Sequence, residues 1–266
     1  MTTRPVRIGV IGYGYVGRHL VDSILRRPAD LALAFVSTRD RSKLLDLPED
    51  VVARSPSEAR TFSPSLIVEC AHPDISHRYG AEFLAFSDYM PLSVNALADA
   101  NVEASLREAA TRSGRRLFIP HGALIGLDNL VETRDEWTDV TITFRKHPDN
   151  VDFAASGIDR SQIRERRVLY DGPVRGIASL FPRNVNTMAT CALATVGLDR
   201  CRAVLEVDPD LDVAVAEVRA VAKDGSIHES KKQQKMQGVS GTEMLASQLG
   251  SVLRATGVHP TGVVFV

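Results

Sequence analysis

The sequence predicts an α/β chain in two parts: a parallel sheet with helical crossovers, then a second α/β part with an open mixed sheet covered on one face by helices. Three observations predict it. Short β-rich runs alternate with helical periods from residue 7 to residue 119, the order that right-handed crossovers turn into a parallel sheet. After about Gly122 the runs switch to alternating apolar and polar residues, the signature of half-buried strands. A glycine-rich break at 12–17 follows the first run directly and opens the first helical period.

Taken in order, residues 7–11 form the first strand. A helix follows with Val16, Leu20, Val21, Ile24 and Leu25 on one face. Residues 31–36 and 66–70 are further strands, the latter with the continuous apolar character of a strand buried on both faces. Residues 90–94 make a fourth strand, 102–113 a helix with Leu106, Ala109 and Ala110 inward, and 116–119 a fifth strand. In the second part, 140–144, 168–170, 203–207 and 213–221 are strands. Residues 171–173 (Asp-Gly-Pro) form a turn, and 186–195 an alanine-rich helix. The lysine- and glutamine-rich tract 229–238 is an exposed loop or strand edge, and 244–254 a last amphipathic helix. The domains expected are 1–122, with 242–266 packing back on it, and 123–241.

Composition narrows the function. The 266 residues carry a net charge of −1, which argues against a nucleic-acid binder with its usual basic excess. No run approaches the length of a membrane span. The first residues lack the apolar core of a signal peptide, so a cytoplasmic location is expected. The three cysteines (70, 191, 201) and seven histidines show no metal-ligand spacing, so no metal is expected.

The pattern Gly12-x-Gly14-x-x-Gly17, between a strand and a helix, points to a Rossmann dinucleotide site. Gly12 allows the tight turn, Gly14 lets a pyrophosphate approach the backbone, and Gly17 lets the helix pack on the strand. At the end of the second strand no acid stands where one would bind a ribose 2′-hydroxyl. Ser37, Arg39 and Arg41 suit a 2′-phosphate, which favours NADP over NAD.

Several blocks point to one family. They are Glu69-Cys70-Ala71-His72-Pro73, residues 93–99 (SVNALAD), 119–128 (IPHGALIGLD) and 181–189 (FPRNVNTMA). Together they resemble the L-aspartate dehydrogenases. Residues 170–176 and 147–149 resemble most the aspartate dehydrogenase domain-containing branch. The resemblance implies a second domain like that of dihydrodipicolinate reductase, a homodimer, and interconversion of aspartate and its imine. It implies that Gly12, Tyr13, Gly14, Tyr15, Val16 and Gly17 form the phosphate loop, and that Ala71 and His72 lie over the nicotinamide ribose. Ala123 would lie near the nicotinamide, and Asn184, Asn186 and Thr187 would line the substrate side.

One departure stands out. The family's histidine pattern, Asp-Pro-x-x-x-x-Asn-x-His, is met here by Asp208-Pro209 with Ala214 for the Asn and Ala216 for the His. A methyl group cannot accept a proton. His121 is the first substitute base and His72 the second. The three readings are an aspartate dehydrogenase-like enzyme, a reductase for another small carbonyl or imine, and a dinucleotide binder without aspartate turnover.

Overall fold

The computed structural model describes residues 4–258. The chain divides into two compact units. Among the described residues, one holds 4–96, Ala100–Pro120 and 245–258, and the other holds Leu97–Asp99 and His121–Met244; of the segment 242–266 expected to pack on the first part, 259–266 lie outside the described residues.

The first unit is a four-stranded parallel sheet of β1 (Val6–Ile11), β2 (Leu31–Ser37), β3 (Leu66–Glu69) and β4 (Asp88–Pro91), in the order β2-β1-β3-β4. Helix α1 (Tyr15–Leu25) joins β1 to β2, α2 (Pro73–Leu84) joins β3 to β4, and α3 (Ala100–Ser113) follows β4. Ile8, Val10, Val36 and Val68 are fully buried with Leu20, Val21 and Ile24 of α1. Leu25 is the exception on α1: it is the last residue of the helix and more than half exposed.

Three sequence expectations need correction in this unit. The fourth strand lies at Asp88–Pro91 rather than 90–94, because Pro91 ends it and Val94–Ala98 winds into a 3₁₀ turn. Residues 116–119 are not a full strand. They make one parallel bridge, Tyr89 to Leu117, before Pro120 removes the next donor. Helix α2 was not expected, since its buried face is small at Ser76 and Gly80 and becomes large and apolar only at its end, with Phe83 and Leu84. Ser76 bonds the Tyr89 hydroxyl at 2.8 Å, and a Cβ on Gly80 would meet Leu106 at 2.6 Å.

The second unit is a five-stranded mixed sheet. Helix α4 (Leu127–Glu132) leads to β5 (Trp137–Lys146), then β6 (Arg167–Pro173), α5 (Val174–Leu180), α6 (Asn186–Ala194), β7 (Arg202–Val207), β8 (Ala214–Ala222) and β9 (Ile227–Gln234). The order is β6-β7-β5-β8-β9, parallel only between β5 and β7. Val140, Ile142 and Phe144 alternate inward along β5 with half-buried Thr141, Thr143 and Arg145, and α6 packs on this strand. The expected turn at 171–173 is part of β6. Antiparallel pairing of 170–173 with β7 keeps the segment extended, and Arg202 adds two hydrogen bonds to Asp171 of 2.6 and 2.5 Å. The tract from 229 is the edge strand β9 as far as Gln234, and within it Lys232 is buried rather than solvated. Arg175 clamps Asp199 (2.6 and 2.8 Å) and the carbonyls of Leu97 and Ala98. The last helix, α7 (Met244–Thr256), returns to the first unit, where Val252 joins the core. No helix among the described residues is long and apolar enough to cross a membrane.

Gly9 shows how tightly the first sheet is filled. It pairs with Phe35, and a Cβ there would sit 2.2 Å from that ring. Gly9→Ala should destabilise the protein by roughly 1–3 kcal/mol, the usual range for overpacking. Gly9→Ala combined with Phe35→Leu should recover part of the loss, because the two sites share one space. Thermal melts check this, and strictly additive losses would show that the ring does not own that space.

Candidate functional site

In the first unit the site is built on the carboxyl ends of β1, β2 and β3. Gly12 has φ +101°, and a Cβ there would meet the Cys70 carbonyl at 2.8 Å. Its amide donates to the Ser37 carbonyl at 2.8 Å. A Cβ on Gly17 would lie 2.0 Å from the Gly12 oxygen, so helix α1 can approach the turn only with glycine there. Gly14 differs. It is the N-cap of α1, extended, with no side-chain cap, and a Cβ on it would have nothing within 4 Å. The first turn of α1 has no acid. The helix therefore opens onto a hollow of about 460 Å³ lined by Tyr13, Gly14, Tyr15, Arg18, His19 and Lys43, among others. Asp22 also lines the hollow and Lys43 already faces Asp40 at 3.5 Å, so the anion-receiving element is the open helix start with Arg18 beside it.

At the end of β2, Ser37 is buried while Arg39 and Arg41 are exposed. Asp40 faces its own turn. It accepts from the Ser42 amide (3.2 Å) and hydroxyl (2.6 Å), and the hydroxyl bond holds its carboxyl below the usual range.

The end of β3 carries a group that motif reasoning did not select. Glu69 is fully buried. Its carboxylate accepts from the amides of Ala71 (2.6 Å) and His72 (2.8 Å), and from the amide and hydroxyl of Ser93 (both 3.2 Å). It thus ties the turn after β3 to the turn after β4. Burial pushes its pKa up to about 7 against these four bonds. The available signal was a lone acid ending an apolar strand. Next to it the Cys70 thiol donates to the Ile11 and Gly12 carbonyls at 3.3 Å, and burial raises its pKa, so it stays a thiol. His72 caps α2 through Nδ1, which accepts from the Asp74 amide at 3.3 Å, and its ring is about two-thirds exposed.

In the second unit, residues 121–123 form a tight turn with Gly122 at φ +64° and Ala123 at φ +55°. Ala123 is thus a non-glycine residue in the left-handed region, a conformation that needs support from its surroundings. Thr187 on α6 donates to the Gly122 carbonyl at 2.9 Å, and Lys232 on β9 donates to the Ala123 carbonyl at 3.2 Å. The structure therefore brings His121, Ala123 and Thr187 together, with Lys232, which the sequence did not single out. Helix α6 has Val185 as its N-cap and no side-chain cap, so neither Asn186 nor Thr187 is used in that way. Asn184 stands apart from this turn. It accepts from the Asp152 amide and donates to the Asn150 carbonyl, both at 2.9 Å, so its amide is spent on the 150–152 loop. Ala216 is half-buried on β8, between Phe144 of β5 and Lys232 of β9. Among the described residues no three His, Cys, Asp or Glu side chains converge as metal ligands would.

Residues 128–254 match the family model described as aspartate dehydrogenase, C-terminal, and residues 12–120 that of homoserine dehydrogenase, NAD binding domain. An aspartate dehydrogenase domain-containing protein of Xenopus tropicalis is 36% identical over 272 residues, covering 96% of each chain. An L-aspartate dehydrogenase of Bordetella pertussis is 31% identical over 232 residues, 84% of this chain and 85% of that one. The crystal structure of aspartate dehydrogenase from Thermotoga maritima matches with a TM-score of 0.74 at 25% identity, covering 98% and 99%. A dihydrodipicolinate reductase from Paenisporosarcina shares the fold, with a TM-score of 0.54 at 12% identity over 95% and 94%.

The buried Glu69 makes a pH prediction. Its folded pKa, about 7, lies above the ordinary 4.5. The folded state therefore keeps a proton that the unfolded chain has lost, and this group's contribution to stability falls as pH rises from about 4.5 to 7. The gap in melting temperature between wild type and Glu69→Gln should shift in the variant's favour across that window and then level off. A gap that is constant with pH would contradict the assignment.

Proposed function

The chain belongs to the aspartate dehydrogenase family, and from that premise we propose that it is an NAD(P)-dependent oxidoreductase acting on the CH–NH₂ group of aspartate or a related amino acid or imine. The observation that carries the reading is the open space above Gly14 at the uncapped start of α1. A dinucleotide fits there, with Gly12, Tyr13, Gly14, Tyr15, Val16 and Gly17 forming the loop around its pyrophosphate, Gly12 and Gly17 by shaping the turn and the free amides of the helix start by donating. When bound, it supplies the hydride acceptor or donor. Ala71 and His72, in the turn that Glu69 fixes, and Ala123 are assigned to the nicotinamide side. Exposed Arg39 and Arg41, with Ser37 fixing the strand end, are assigned to a 2′-phosphate and make NADP the preferred form. The working unit is taken to be a homodimer, as the resemblance implies, and its location cytoplasmic.

On the substrate side, Asn186 and Thr187 at the start of α6 contact the substrate, and Asn184 positions the loop beside it. His121 takes the proton that the ammonium must lose before oxidation, with His72 the second choice. A second reading is favoured by one specific observation, the methyl groups at 214 and 216. Under it the fold and dinucleotide are kept, and the chain either reduces another small carbonyl or imine or binds dinucleotide without turning over aspartate.

Steady-state kinetics with L-aspartate and each dinucleotide tests both readings. NADPH should bind about tenfold or more tightly than NADH, the worth of one charge-assisted contact. Wild-type aspartate turnover should be weak. It should fall a further 10²–10⁴-fold, roughly the worth of general-base catalysis, in His121→Ala and rise in Ala216→His. Strong wild-type turnover unaffected by His121→Ala would show that the base lies elsewhere.

A further inference from the structure

Two lysines in the second unit are buried where the strand pattern calls for apolar residues. Lys146 ends the inward series Val140, Ile142, Phe144 on β5 and is 6% exposed. Lys232 is the one buried residue of the edge strand β9, at 8%. Both belong to the face of the sheet that carries Ala216. Ala216 pairs with Phe144 on one side and Lys232 on the other, and directly paired residues share a face. Lys146 lies two residues beyond Phe144, on that same face, with its ammonium 5.1 Å from the Phe144 ring centre. Between the two lysines β8 presents only the methyl groups of Ala214 and Ala216.

Burying an ammonium is costly unless it is paired. Lys232 has a counter-charge, Glu243, at 2.7 Å, but the Glu243 side chain is 64% exposed and free to withdraw into solvent. Lys146 donates to the Val239 carbonyl at 3.2 Å, and among the described residues no carboxylate pairs with it. Burial alone draws its pKa down to about 8. A buried cation with a carbonyl and a ring but no carboxylate for company, a second whose partner is largely exposed, and a floor cut back to methyl groups together describe a receptor for an anion. Strands β5 and β9 are separated by one strand, so their backbones lie about 10 Å apart. Two inward lysine stems can close that gap onto a short dicarboxylate.

We propose that Lys146 and Lys232 bind the two carboxylates of a small dicarboxylate on this face of the sheet, with the Glu243 carboxylate holding the place of one of them until the ligand arrives. The assignment rests on the reading of this unit as the substrate domain and deepens it: the ligand is a dianion, and cations flanking the missing histidine hold it. Lys232 also supports the strained Ala123 carbonyl, so ligand capture is coupled to the 121–123 turn.

Calorimetric titration with succinate, a dicarboxylate without an amino group, tests this independently of turnover. Wild-type protein should bind succinate well above acetate, with or without NADP. Lys146→Met and Lys232→Met should each weaken succinate about tenfold or more, the worth of one charged hydrogen bond. Lys232→Arg should keep most of the affinity, and Glu243→Gln should raise it by removing the internal competitor. Melting temperature and NADPH affinity report whether each variant is folded. Overturning results are no wild-type preference for succinate over acetate, or unchanged affinity in the folded methionine variants. If those variants do not fold, Glu243→Gln decides, and an unchanged succinate affinity there overturns the proposal. Succinate binding without any turnover would sink the oxidoreductase reading and leave this site standing. Turnover without lysine-dependent succinate binding would do the reverse.

Discussion

The first unit depends on a contact that excludes side chains. Helix α1 begins so close to the ends of β1 and β3 that a Cβ on Gly17 would lie 2.0 Å from the Gly12 oxygen, and one on Gly12 would strike the Cys70 carbonyl. Backbone therefore meets backbone at the point where the sheet hands the chain to the helix. The helix start consequently faces outward with neither a cap nor an acid. Its partial positive charge is left for a ligand. Nearby, Glu69 uses its carboxylate to bind two turns into one surface. Its ionised form gains four hydrogen bonds and loses most of its hydration, a balance that brings its pKa near neutrality.

The second unit is organised by a charge balance of a different kind. A histidine expected from the family pattern is replaced by Ala216, and the neighbouring strands bring buried ammonium groups to the same face. One of them, Lys232, steadies a residue held in the left-handed region at the 121–123 turn. Without a titrating ring at 216, this face presents two buried ammonium groups and, between them, the methyl groups of Ala214 and Ala216.

What was legible in the sequence follows from which features are local. The Gly12–Gly17 turn could be read because each glycine answers a steric need that short-range spacing reveals. The two-part architecture could be read because the hydrophobic period changes near Gly122. Helix α2 could not, since apart from Phe83 and Leu84 at its end its packing face uses Ser76 and Gly80, whose place against Tyr89 and Leu106 exists only after folding. The segment 171–173 looked like a turn because Asp-Gly-Pro usually is one, and pairing with β7, about thirty residues on, overrules it. Lys232 sits in a run of polar residues that reads as solvated. Its burial depends on two alanines of another strand and on a carbonyl more than a hundred residues away.

The central claim is that the space above Gly14 belongs to a dinucleotide, and one titration tests it most directly. Gly14 has an extended backbone that valine adopts readily, and its Cβ would touch no protein atom. Gly14→Val should therefore melt with the wild type, while calorimetry shows NADPH and NADH binding abolished. A folded Gly14→Val variant that binds dinucleotide as tightly as the wild type would contradict the account.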